Sequence, residues 1–429
     1  MSDIKDKLAA LLAQKAVVTG AEWRRRLEDL ARRRAEGEFE IDKTIPGRLV
    51  GDADSAFHLV QHDIPLDTVH GALPFSALFT AIPEHIAFSA CDPDLEEWDP
   101  AKTVFLDVET TGLAGGTGTV AFLVGAAYVV KDVLRLDQCF MRDFDDEAPM
   151  LEYLRDVFAP AETVVSYNGK SFDVPLLRTR FIQNRIRCPL DRARHLDLLH
   201  AARRLWKARL QDCSLTNVES AVLGIERQGD IPSEEIPQLW LDYLRTRDAR
   251  DLVRVFYHHK MDVLSLVTLT VHLSHCMSAA AASGLEHAED QLSLVRLLFR
   301  QRRYERVIEL GRRFLETDTE PALRRECLEF MGFAHKRLGD WTAMEDAWTV
   351  LLREFPDSAV AHLELAKHFE HRTRNLSEAE RLCTAMIQYF DTRCALRNDG
   401  FDAGRRAAFQ FRLDRIRRKL ERATGRFVE

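Results

Sequence analysis

The spacing of apolar positions divides the chain into stretches of different texture. Through residue 36 or so, Leu8, Leu11, Leu12, Trp23, Leu27 and Leu30 recur at helical spacing. Arg24–Arg26 and Arg32–Arg34 lie between them, so a helix with a solvated basic face is expected. From Ile41 to Pro100 apolar runs are short and Gly, Pro and His frequent, which predicts irregular structure with a few strands draped on the next domain. The runs TVFLDVE and TVAFLVGAAYVV then read as two buried strands around a turn, and LRLDQCFMRDF as a third. A helix over Glu147–Phe158, a strand over Thr163–Tyr167, a helix over Val174–Asn184, the segment HLDLLHAARRLW and a helix over Leu252–Leu273 follow. Strands first and alternating helix and strand after them predict an α/β domain, a mixed sheet flanked by helices, over 101–280.

From about Gln291 the pattern is helical to the end, and it repeats. Gly332, Gly339-Asp340-Trp341, Met344, Trp348, Leu351 and Pro356 occupy the small, aromatic and terminal-proline positions of a tetratricopeptide unit. Tyr304, Val307 and Phe314 match one unit earlier, and Leu376, Ala379, Cys383 and Met386 one unit later. The intervals, 37 residues (304 to 341) and 35 (341 to 376), approach the ~34 of that repeat. An all-α tetratricopeptide-like domain over 285–429 is expected, offering a partner protein a binding face. Residues 1–100 would be an N-terminal helix and irregular or β segment packed on the α/β domain.

Composition narrows the function classes. The 429 residues are 46% hydrophobic and 30% charged, enough for large cores. The net charge of -8 means that any nucleic-acid contact must use a local basic patch. Eight cysteines form no CxxC pair, MSDIKDKLAALLAQKAVV lacks a signal-peptide core, and Thr119–Val130 is far short of the ~20 apolar residues of a membrane helix. A soluble, cytoplasmic protein with reduced thiols is expected.

Candidate chemistry concentrates in FLDVETTGLAGGTGTVAFLVG. The glycines Gly115, Gly116 and Gly118 precede a strand-like run rather than a helix, and no G-K-[ST] follows, so they read as a tight strand connection instead of a phosphate cradle. Asp107 and Glu109 alternate with Val108 and point to one face of a strand. Two carboxylates so placed repel unless a cation lies between them, and a hard divalent ion suits carboxylate oxygen.

Three motifs in order carry a resemblance: DVETTGL, SYNGKSFDVPLL with Asn168, Phe172 and Asp173, and FYHHKMDVLSL with Asp262. Together they resemble the DEDD superfamily of 3′→5′ exonucleases, which have a ribonuclease H-like fold. The Asn-to-Asp spacing of the second is similar to the proofreading motif of family B DNA polymerases. With the preceding PGRLV…HG and the trailing helices, roughly 45–390 resembles the YprB-type ribonuclease H-like proteins, the group of mitomycin repair factor B. The resemblance implies a two-metal (Mg²⁺ or Mn²⁺) DNA exonuclease in DNA repair, working with a helicase of the mitomycin repair factor A type. RNA stays open as a substrate, because the motifs address the phosphodiester and not the 2′-OH. An inactive nuclease-fold scaffold and an unrelated metal phosphoesterase are the rival classes.

By the same resemblance, Asp107 would hold both ions, Glu109 and Asp262 the water-activating ion, and Asp173 the leaving-group ion. Thr110, Thr111 and Leu113 would cradle the terminal nucleotide, Asn168 would prop the second motif or the substrate strand, and Lys170 would meet substrate. The third motif departs from both superfamily branches: H-x₄-D lands on Tyr257 and Y-x₃-D on His258. On a helix, residues four apart differ by ~40° and five apart by ~140°, so His258 lies beside Asp262. His258 is therefore the candidate for orienting or deprotonating water, with Tyr257 and His259 in reserve. Asp197 either lines the cleft or caps a helix, the second being preferred. Arg178, Arg180, Arg185, Arg187, Arg192, Arg194, Arg203, Arg204, Lys207 and Arg209 form a basic run after the second motif, with Lys260 inside the third. The arginine-rich stretch Arg405–Arg426 is either a second nucleic-acid contact or a capping helix.

Overall fold

The computed structural model describes residues 25, 28, 29, 32, 33, 36–52, 55–112, 118–278, 285–397 and 403–423. The expected helix up to residue 36 and the glycines Gly115 and Gly116 therefore lie largely outside the described residues. The chain forms two compact units: residues 1–202 with 212–277, and 203–211 with 278–429.

The first unit is built on a seven-stranded mixed sheet. Its strands are β1 (Arg48–Gly51), β2 (Ala56–Pro65), β5 (Thr103–Thr110), β6 (Ala121–Val130), β7 (Val133–Phe140), β8 (Thr163–Ser166) and β9 (Arg194–Asp197), in the order β1-β2-β7-β6-β5-β8-β9. β3 (Val69–His70) and β4 (Leu73–Pro74) form a separate small hairpin. β5, β6 and β7 are antiparallel neighbours, whereas β8 and β9 run parallel to β5. β5 and β6 lie in the middle and are covered on both faces, which is why their sequences are continuously apolar instead of alternating.

The stretch 41–100, expected to be irregular with a few strands, contains β1 to β4 among short helical turns. β2 joins the main sheet, pairing with β7 from His58↔Phe140 to Pro65↔Val133. The polar residues that mask this strand have partners: the buried His58 ring meets the Ile45 carbonyl at 3.1 Å, and Gln61 donates to Asp137 at 2.7 Å.

This unit also holds helices α1 (Pro83–Ala90), α2 (Glu147–Phe158), α3 (Asp173–Gln183), the start of α4 (Leu198–Leu210), α5 (Ile236–Thr246) and α6 (Leu252–Cys276). Leu151 and Leu154 of α2, Leu177 and Phe181 of α3, Trp240 of α5 and Val255 of α6 share one core with the sheet. Along β5, β8 pairs only with Thr103–Phe105. The carboxyl half of β5 therefore projects past its parallel neighbour, and a crevice opens at the carboxyl ends of β5, β8 and β9, where open α/β sheets place ligands.

In the second unit, α7 (Ala288–Arg300), α8 (Tyr304–Leu315), α9 (Pro321–Leu338), α10 (Trp341–Glu354), α11 (Ala359–His371), α12 (Leu376–Arg397) and α13 (Ala403–Ala423) pack consecutively in a tetratricopeptide-like arrangement. Gly332 is small because a Cβ there would lie 2.5 Å from the Trp348 ring. Arg405–Ala423 packs as a capping helix: Phe409, Leu413 and Ile416 are buried, and Arg412, Arg415 and Lys419 converge on the buried carboxylate of Glu370. Among the described residues no helix is long and apolar enough to cross a membrane.

Candidate metal centre

Asp107 and Glu109 project from the overhanging end of β5, on the same side, with Val108 between them buried. Asp107 pairs in register with Gly125 of β6. A Cβ at Gly125 would lie 2.5 Å from His259 Cε1 and 2.7 Å from Val263 Cγ2, so this glycine lets α6 pack directly on the strands that carry the acids. His259 is the fastening. The Gln138 amide donates to its Nδ1 at 3.1 Å, and its Nε2 donates to the Asp107 carbonyl at 3.2 Å. Full burial pushes its pKa down to about 4, so the ring is neutral. His259, a reserve for water activation, fastens backbone instead.

Asp173 reaches the same crevice from the first turn of α3. The turn before it is tight: Asn168 has φ +66°, and a Cβ at Gly169 would lie 2.3 Å from Ser166 Oγ and 2.9 Å from Asp173 Oδ2. Asp197 holds this turn, accepting from Asn168 N at 2.8 Å and Lys170 N at 3.1 Å, and it also accepts from Leu199 N at 3.1 Å. Asp197 is thus a capping residue. Burial, then the charge of Asp197, raises the pKa of Asp173 to about 7.

α6 supplies Asp262 and, one turn earlier, His258. His258 Nε2 lies 3.3 Å from Asp262 Oδ2 and 3.9 Å from Glu109 Oε1. Ligand atoms of Glu109, His258 and Asp262 all fall within 4.8 Å of one another. Asp107 and Asp173 stand outside that tightest group but act on it. Burial, then Asp262, Glu109 and Asp173, raises the pKa of Asp107 well above the carboxylate range. Burial, then Asp262, raises that of Glu109 to about 8. Burial also pushes Asp262 upward, but His258 and Arg227 outweigh it and its pKa falls.

Three neighbours carried no signal in the sequence, being single charges in a polar stretch without a motif. Arg227, with a side chain only 3% exposed, donates to Asp262 and makes two bonds of 2.6 Å to buried Glu219. Asp230 Oδ1 lies 2.9 Å from His258 Nδ1. Burial lowers the His258 pKa, but Asp262, Glu109 and Asp230 together raise it to about 9. Glu109, Glu219, Asp230 and Asp262 thus pair with Arg227 or His258, while Asp107 and Asp173 add two further buried carboxylates beside them. Such a donor set fits divalent cations.

A cavity of about 790 Å³ opens beside the acids, lined among others by Glu109, Thr110, Phe172, Asp173, Thr179 and Ser233. The Thr110 hydroxyl donates to the Gly112 carbonyl, and Thr111 clamps the neck of the β5–β6 hairpin by accepting from Val120 N at 3.1 Å. Leu113 lies outside the described residues. Asn168 and Lys170 enter through their backbone bonds to Asp197, and Lys170 Nζ lies 3.9 Å from Asp92. Tyr257 is half-buried, about 140° around the helix from Asp262.

Seven residues of the basic run separate into two classes. Arg178 pairs with Asp191, Arg180 with Glu147, Arg194 with Glu97 and Glu162, and Arg209 with Asp290. Arg185, Arg187 and Arg192 are exposed and have no side-chain partner among the described residues.

Residues 104–274 match a family model described as the RNase_H superfamily. The domain is ribonuclease H-like. Its acids at the overhanging end of β5, on α3 and on α6 all fall within the matched residues. The chain is also 33% identical over 280 residues to the uncharacterized protein YprB of Bacillus subtilis (strain 168). The aligned stretch covers 64% of this chain and 66% of that relative, just under two thirds of its length.

Proposed function

We propose that this chain is a metal-dependent 3′→5′ exonuclease of the DEDD type that hydrolyses DNA. The observation that carries this reading is the meeting of Asp107, Glu109, Asp173 and Asp262 in one crevice of a ribonuclease H-like domain, with His258 beside them. Asp107, Glu109, Asp173 and Asp262 would hold two Mg²⁺ or Mn²⁺ ions, which would supply Lewis-acid activation of water and charge stabilisation of the leaving oxygen. The chain's own residues do the rest. Asp230 keeps the proton of His258 on Nδ1, so Nε2 faces Glu109 and Asp262, where it orients the water and takes its proton. In the metal-free chain the neighbouring carboxylates hold the ring's pKa near 9, and cations on those carboxylates would withdraw that support and lower it toward neutral pH. The cavity beside Glu109 and Asp173 admits the terminal nucleotide, with Thr110 and the exposed Phe172 on its wall.

In this reading residues 101–280 perform the chemistry, residues 1–100 pack on them, and residues 285–429 dock a partner protein. A helicase of the mitomycin repair factor A type, acting in cytoplasmic DNA repair, fits that arrangement. The test is digestion of 5′-labelled and 3′-labelled DNA, single- and double-stranded, beside RNA of the same sequence, with Mg²⁺ or Mn²⁺. Mononucleotides released from the 3′ end of DNA support the reading. Preference for RNA moves the substrate assignment, internal cuts point to another phosphoesterase, and an inert protein is a scaffold.

A further inference from the structure

An active site of acids repels the phosphates it must cleave, so the strand has to be held by cations some distance away. Arg227 does not serve, since it is buried and committed to Glu219 and Asp262. α3 shows where such cations lie. Its buried face, Val174, Leu177 and Phe181, packs into the core. Its opposite face, with Pro175, Leu176 and Thr179, lines the cavity beginning at Asp173. By helical spacing that face continues to Gln183, with Ile182, 72% exposed, at its flank. The chain then turns at Arg185, φ +60°, into the connection to β9, which carries Arg185, Arg187 and Arg192. The one acid of that connection, Asp191, is taken by Arg178. Among the described residues, three exposed guanidiniums therefore stand without a side-chain partner at the end of a wall that starts at the acids.

We propose that Arg185, Arg187 and Arg192 form a docking shoulder for the phosphate backbone of the DNA strand whose 3′ end lies in the cavity. This rests on the nuclease reading and extends it to the path of the strand. The 11 residues of α3 span ~16 Å, about five phosphates at the ~3.4 Å per-strand spacing of stacked nucleotides. The shoulder thus meets the strand about five nucleotides from the cut. It positions without reading sequence, and point charges suffice for it.

The test is fluorescence anisotropy of the full chain with a labelled 20-nucleotide single strand in EDTA, where nothing is cleaved. Wild type is compared with R185A/R187A/R192A and R185K/R187K/R192K, each checked for an unchanged thermal midpoint. The alanine triple is expected to weaken binding at least ten-fold at moderate salt and to make the plot of log affinity against log salt shallower by about 2, three contacts at ~0.7 each. The lysine triple, which also stands in should the alanine triple fail to fold, keeps most of the affinity. Unchanged affinity in the alanine triple, a loss without a change in salt slope, or a lysine triple as weak as the alanine one overturns the shoulder. Failure of the nuclease reading is seen separately, as wild type releasing no nucleotide from the same strand with Mg²⁺ or Mn²⁺.

Discussion

His258 Nδ1 lies 2.9 Å from Asp230 Oδ1, so a loop acid fixes which nitrogen of the α6 histidine faces the metal centre. This is the carboxylate–histidine logic that orients rings at metal and catalytic sites. Asp230→Asn can satisfy either tautomer and gives up the charge. Its expected outcome is a loss of about 10–100-fold in turnover or metal affinity with the thermal midpoint nearly unchanged. Wild-type rates in Asp230→Asn would show that His258 needs no orienting partner.

Arg227 is the cation that the centre carries permanently. Its side chain is 3% exposed between Glu219, itself fully buried, and Asp262. Arg227→Met leaves those acids without a counter-charge and is expected to cost about 3–5 kcal/mol in urea unfolding. Arg227→Met combined with Glu219→Gln should recover part of that loss, because the two changes share one interaction. A double variant no better than the single one would mean the pair is not coupled.

Gly125 carries the packing of α6. An added Cβ would sit 2.5 Å from His259 Cε1, and the helix bearing His258 and Asp262 would have to shift. Gly125→Ala is expected to lose about 1–3 kcal/mol of stability together with metal affinity, although residue 125 touches no substrate. Calorimetric metal titration of a variant that remains folded checks the second part.

Much of this centre was legible because its chemistry sits on regular elements. Asp107 and Glu109 stand out as acids within an apolar strand, and His258 is singled out from Tyr257 by helical angle alone. Asp173 and Asp262 needed the resemblance, since an acid opening a helix and an acid on an amphipathic one are ordinary by themselves. Asp197 could be read as a cap because strand and helix patterns abut there. Arg227, Asp230 and Glu219 could not be read: their roles exist only once the chain folds back over α6, and nothing local marks them. Among the few strands expected in 41–100, β2 could not be located for a related reason. His58 and Gln61 look like loop residues until Ile45 and Asp137 are seen to satisfy them.

The acids also set a pH dependence of stability. Between pH 7.5 and about 8.5 the buried histidines His70, His195, His259 and His272, lowered to about 4, are neutral when folded and almost entirely so when unfolded. Asp262, lowered, is ionised in both and contributes no slope. Glu109 (about 8), Asp173 (about 7) and His258 (about 9) hold protons when folded that the unfolded chain has released. The folded state binds more protons, so stability of the metal-free protein falls as pH rises through this window. Thermal midpoints in EDTA should drop by several degrees from pH 7.5 to 8.5, while millimolar Mg²⁺ or Mn²⁺ flattens or reverses the trend. A rising midpoint in EDTA would contradict the crowding of these carboxylates.

Calorimetric titration of Mn²⁺ at pH 8 into wild type and Asp107→Asn tests the metal centre most directly. The account predicts two bound ions in the wild type and loss of at least one, with the other much weakened, in the variant. No Mn²⁺ binding, or binding that ignores the substitution, would contradict it.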